Sequence, residues 1–194
     1  MTQFMTFDQE SARKSGGSDY IQEGGAYVVK IVNAQIVSAN TGSEGVELSC
    51  ETSDGLKANY LTLYYRKSDQ TPIKSGTNAL NALMYLTRTQ SLSMSNNGSQ
   101  MVVPELIGKE VGLCLQKRLY TKNDGSDGFS FEIVMPFGPT QRATVKELVD
   151  KVQPKAVDSW LSRYQDKDDR KQVGPVMSGH SNQMPDYPDD DFAF

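Results

Sequence analysis

Apolar positions along this chain follow one spacing, then a longer one, then the first again. Residues 1–24 are polar and rich in Gly and Ser, and are expected to form a flexible lead-in. "GAYVVKIVNAQIVSA" (25–39) is long and rich in β-branched side chains, which predicts a strand. "NTGSEG" (40–45) carries turn chemistry, "VELSCET" (46–52) alternates apolar and polar residues, and "SDG" closes a hairpin. "KANYLTLYYRK" (57–67) predicts a third strand with Leu61 and Leu63 on one face. The period then lengthens. Leu80, Leu83, Met84 and Thr87 in "GTNALNALMYLT" (76–87) fall at helical spacing, with Thr77 or Asn78 available as a cap. After a polar loop through "SMSNNGSQM", alternation resumes from about Lys109, with Val111, Leu113 and Leu115 on one face. "NDGSDG" (123–128) is a turn and "FSFEIVM" (129–135) the returning strand.

Three strands, a helix and two strands predict a mainly β fold: a five-stranded OB-fold-like barrel over residues 25–138, with its helix between strands three and four. Other small barrels and α+β sheets share this order. Residues 139–167 predict a helical extension. One stripe holds Val145, Leu148, Val149 and Val152, and a second holds Val157, Trp160, Leu161 and Tyr164. These helices are expected either to cover an end of the barrel or to form a subunit contact in a homo-oligomer. Residues 168–194 have no apolar set able to pack, and a disordered tail is expected.

Composition narrows the chemistry. The longest apolar run, "AYVVKIV", is broken by Lys30 and far too short to span a bilayer, so no membrane association is expected. The first twenty or so residues lack an apolar core, and no secretory signal is expected. Cys50 and Cys114 lie in strand-like segments without a C-x-x-C pattern, as buried, reduced thiols of a cytoplasmic protein would. The sole histidine, His180, leaves almost no material for His-based catalysis or a metal cage.

Several partial motifs fail on spacing. Counted from Asn123, the calcium-loop positions three and twelve are Gly125 and Val134, neither of them an acid. "IGKE" (107–110) lacks the rest of a phosphate loop, and "NGS" (97–99) is a sequon only for a secreted chain. Glu44, Glu47 and Glu51 look like the exposed side of strand two. No enzyme activity, metal or cofactor is expected from these residues; a magnesium-dependent nuclease built from scattered carboxylates stays open as a third reading.

Two stretches interleave rings with cations: Tyr60, Tyr64, Arg66 and Lys67 in one, Lys117, Arg118, Tyr120 and Lys122 in the other. With Leu61 and Leu63 inward, alternation turns Tyr60, Tyr64 and Arg66 outward. With Val111, Leu113 and Leu115 inward, it turns Arg118, Tyr120 and Lys122 outward. Flat rings for unpaired bases and cations for phosphates are what a single-stranded nucleic acid needs, with stacking contributing roughly 1–3 kcal/mol per base.

Charge is uneven. Asp186, Asp189, Asp190 and Asp191 are four of the 24 acidic side chains, and without them the chain carries 20 acids against 20 Lys and Arg, so the net −4 resides in its last ten residues. "PDYPDDDFAF" resembles the acidic, Phe-terminated tip of bacterial single-stranded DNA-binding proteins. Asp189, Asp190 and Asp191 match the acids and Phe194 the terminal ring, while Phe192 and Ala193 replace an Ile-Pro pair. The body, through "EGGAYVVKIVNAQIV" and "LIGKEVGLCLQ", is similar to single-stranded DNA-binding proteins of tailed phages. That resemblance implies sequence-nonspecific coating of single-stranded DNA during phage replication and recombination, in the cytoplasm of a bacterial host. The tip would then recruit replication, recombination or repair proteins. The competing expectation is a β-barrel adaptor that docks protein partners without binding DNA.

Overall fold

The computed structural model describes residues 6–7 and 18–170; His180 and the expected acidic tip at residues 189–194 lie outside them. The fold is mainly β, an antiparallel sheet with few helices. Its centre is β1 (Gly25–Ser38), which pairs along most of its length with β2 (Glu44–Thr52), and β2 in turn pairs with β3 (Lys57–Arg66). The chain then forms α1 (Lys74–Leu86), the short strands β4 (Ser95–Asn96) and β5 (Met101–Val102), and a 3-10 turn at Pro104–Leu106. Next, β6 (Glu110–Thr121) pairs with the start of β1, and β7 (Asp127–Phe137) folds back on β6. The main path through the sheet is therefore β3-β2-β1-β6-β7. Its two end strands pack against each other, but no ladder joins them among the described residues.

The long central strand works as a hub because a bulge at Val32 shifts its pairing with β2 between Ile31 and Asn33. Its second edge is shared: β6 takes residues 25–30, single backbone bonds from Val103 and Gly108 take Ala34 and Ile31, and β5 takes Gln35. Between sheet and helix lies the main core, with Ile31, Leu48, Leu61, Leu83, Leu106 and Leu113 fully buried.

Several expectations are corrected. The N-terminal lead-in is anchored at its end: Tyr20 bridges to Lys57, and Ile21 is buried in the core. Helix α1 begins before Thr77 and Asn78, at an Ile73 N-cap without a side-chain cap bond; the Thr77 hydroxyl instead donates to the Tyr65 carbonyl. The polar loop after it contains the β4–β5 hairpin, closed by Asn96 and Asn97 side chains accepting from turn amides. β6 is buried on both faces from Val111 to Leu115, which strict alternation does not predict. The second face is covered by the C-terminal segment, where Cys114 and Phe137 pack with Val157 and Trp160.

That segment holds α2 (Val145–Asp150), α3 (Ala156–Leu161) and the two-residue strand β8 (Lys167–Asp168). The expected Val149 and Val152 stripe of α2 is exposed, whereas Glu147 is buried. The carboxylate of Glu147 accepts from the backbone N–H groups of Thr144, Lys155 and Ala156 and from the Thr144 hydroxyl, so it caps both helices at once. Burial opposes the charge, but these donors outweigh it and hold the carboxyl at about 2. β8 pairs in parallel with Arg118 and Leu119, on the edge of β6 that β1 leaves uncovered beyond Leu115; residues 165–170 therefore form a strap, where the sequence suggested the end of the helical extension at 167 and a disordered tail from 168.

Candidate functional site

The seam between β3 and β7 gathers the exposed rings of Tyr20, Tyr60, Tyr64, Tyr120 and Phe129. β7 is paired along one edge only, and the second edge of β3 is bonded only at its ends, where Lys57 meets Asp19 and Ile21 and the Tyr65 carbonyl accepts from Ile73, so no ladder covers its middle. Two clefts of about 500 Å³ each lie along the seam. The first is lined by Tyr20, Lys57, Tyr60, Tyr120, Phe129 and Phe131, among others. The second runs past Tyr60 and Tyr64 to Ser75 and Gly76 of α1 and to Ser130 and Glu132 of β7. Tyr60, Ser130 and Phe131 belong to both, so the clefts are contiguous. Each falls within the roughly 300–1,000 Å³ typical of small-ligand sites.

Local structure explains how the rings arrive there. Leu48 pairs with Leu61 and Cys50 with Ala58, so Asn59 and Tyr60 together oppose the single residue Ser49. The extra residue is a bulge, and Tyr60 occupies it with φ of 62°. Ala58 and Leu61 can both face the core because the bulge inserts one residue between them, and the Tyr60 ring is left 78% exposed. The neighbouring Tyr64 lies across Gly45 of β2, where a methyl group would sit 3.0 Å from its ring. On the opposite wall, Phe129 and Phe131 meet edge to face, their centroids 5.5 Å apart. Lys117 sits 5.2 Å above the Phe129 ring and supports it from the side.

The structure gathers part of the set expected from the sequence. Tyr60 and Tyr120 share the first cleft, Tyr60 and Tyr64 the second. Lys122 is exposed beside them: a methyl group on Gly128 would approach both its side chain and the Tyr120 ring to 3.0 Å. The remaining cations line neither cleft. Arg66 is bound to Glu44 and folded over Tyr65. Its hydrogen bond, with that of the Tyr65 hydroxyl, pulls the Glu44 carboxyl below its ordinary value. Arg118 is held between Glu132 and Asp169. Lys117 is only 13% exposed and pairs with Glu23 at 3.3 Å and Asp166 at 3.9 Å. Lys67 is exposed in the turn after β3.

Pattern reading missed Tyr20, Lys57, Phe129 and Phe131. Tyr20 lies near the end of the expected flexible lead-in, and Lys57 at the start of an expected strand. Phe129 and Phe131 share a face with core residues, and only the absence of a strand beyond β7 opens them to the seam. Lys57 and Lys122 form no salt bridge among the described residues, although Asp124, whose carboxyl the Ser126 hydrogen bonds hold below its ordinary value, lies close enough for Lys122 to add to that shift. Aromatic faces and two ammonium groups outside any salt bridge equip this seam for stacking and for holding anions.

A separate apolar cleft of about 240 Å³ opens between Ile36, Tyr65, Leu80, Leu92 and Met94. No group of three or more His, Cys, Asp or Glu side chains among the described residues is placed to hold a metal ion. No helix among them is long and apolar enough to cross a membrane. Compared with family models and with curated proteins, the chain matches none.

Proposed function

We propose that this protein binds single-stranded DNA without sequence preference, along the β3–β7 seam, and that its body is an OB-type barrel closed there by packing instead of a ladder. The observation that carries the reading is the convergence of Tyr20, Tyr60, Tyr64, Tyr120 and Phe129 on contiguous clefts beside Lys57 and Lys122. Rings stack on any base, and the ammonium groups pair with phosphates that separate successive bases. Paired bases of a duplex offer no free faces, so the single strand is preferred. In this proposal Arg66, Lys117 and Arg118 hold the scaffold, and the acidic, Phe-ended tip recruits replication, recombination or repair proteins.

The test is fluorescence anisotropy of labelled oligo-dT and of a matching duplex. Tight single-strand binding that Tyr120→Ala and Tyr64→Ala each weaken by about 5- to 100-fold supports the proposal. Equal affinity for duplex and single strand, or indifference to both substitutions, overturns it. A second reading, the protein-docking adaptor, is favoured by one feature: an extended peptide can add to an unpaired strand edge, and β7 presents one. It predicts no oligo-dT binding at all.

A further inference from the structure

Tyr60 combines three properties that rarely coincide. Its φ of 62° lies in the left-handed region, where a Cβ is disfavoured. Its ring is 78% exposed, so burial does not compensate the strain. Its hydroxyl has no hydrogen-bond partner among the described residues. Fold stability therefore gives no account of a tyrosine here. A strained backbone that displays an unsupported ring points to the ring's surroundings.

Those surroundings are the two clefts. Tyr60 lines both, and beyond the shared floor of Ser130 and Phe131 the walls differ. One side offers the rings of Tyr20, Tyr120 and Phe129; the other offers Tyr64 together with hydroxyls of Thr62, Ser75 and Ser130 and the Glu132 carboxylate. The aromatic side suits a base held by its faces. The polar side suits a base held by an edge as well, since Arg118 engages only Oε1 of Glu132 and Oε2 is left to accept from an exocyclic amine. We infer that Tyr60 is a wedge: it parts two consecutive bases of a bound single strand, one in each cleft, and the bulge at Asn59–Tyr60 is what aims it. The inference rests on the single-strand reading and adds to it the local unit of recognition, a step of two unstacked bases.

The test pairs Tyr60→Gly with Tyr60→Phe in the full chain. Gly suits the left-handed backbone, so the first variant should melt no lower than the parent, which separates loss of the ring from loss of the fold. Binding of oligo-dA is followed by anisotropy, and the circular dichroism of the saturated complex reports whether neighbouring bases remain stacked. Wild type and Tyr60→Phe should both collapse the base-stacking bands. Tyr60→Gly should bind about 5- to 100-fold more weakly and leave those bands largely intact at saturation. A wild-type complex that retains stacked bases overturns the wedge and leaves the binding reading standing. So does a Tyr60→Gly complex in which the bases are parted as they are in wild type. A wild type that binds no single strand overturns both.

Discussion

Among single side chains, the division between scaffold and contact is sharp enough to test. Arg118 and Lys122 lie on the same expected face of β6, yet Arg118 is saturated by Glu132 and Asp169 while Lys122 faces solvent beside Tyr120. Lys122→Ala is expected to weaken oligo-dT binding and Arg118→Ala to change it less, measured by anisotropy at equal salt. The reverse order would return Arg118 to the phosphate path. Alternation made Tyr60, Tyr64 and Tyr120 legible, because Leu61, Leu63 and the β6 core residues mark the buried face. The ion pairs were not legible: Arg118 meets partners 14 and 51 positions away, a pairing that only the folded chain creates. Glu147 was equally hidden, since a carboxylate in an apolar stripe reads as the solvent side of a helix. Its folded value of about 2 lies below its ordinary 4.5, so its contribution is complete above about 4.5 and is lost as the pH falls toward 2. Glu147→Gln should remove that part of the acid sensitivity. Thermal melts of the two proteins should differ most at neutral pH and converge near pH 2.

Secondary-structure elements depend on close approaches that a hydrophobicity pattern does not record. Helix α1 reaches β3 through Gly76, where a Cβ would stand 1.8 Å from the Tyr64 carbonyl oxygen. Gly76→Ala improves helix propensity by about 1 kcal/mol, yet it forces the helix off the strand. Net destabilisation of about 3 kcal/mol is expected, read as a lower urea midpoint. Because Gly76 and Ser75 also line the second cleft, the same change should disturb binding in the folded fraction. The five long strands and α1 were visible as periods of two and of about 3.6, with bounds displaced by a few residues. The strap was not visible. Lys167 and Asp168 take a strand conformation only because β6 outlasts β1 by several residues and leaves an edge to cover.

For the molecule as a whole, charge sets how binding should respond to salt. The chain has no cationic surplus, and among the described residues most cations near the seam are already paired. With Lys57 and Lys122 as the phosphate partners, the logarithm of affinity should fall with that of salt at a slope of about −1.4. A slope of about −2.8 or steeper in the anisotropy titration would mean that the paired Arg66 and Arg118 are also released to the backbone. The β1–β2 and β6–β7 hairpins could be anticipated because each is local in sequence, whereas the β1–β6 pairing joins residues about 85 positions apart. The seam could not, since it depends on where the first and last strands of the path come to rest.

The two thiols offer a way to watch this architecture come apart. Cys50 is sealed in the main core and Cys114 beneath the C-terminal helices, and burial pushes each up to about 12. Neither should react with a disulfide reagent until its own layer opens, since the thiolate is the reactive species. Labelling followed by peptide mapping would therefore time two events with native residues alone: release of the helical cover at Cys114 and global unfolding at Cys50. If the cover detaches first, Cys114 is modified while Cys50 stays protected; simultaneous labelling would make cover and barrel one cooperative unit.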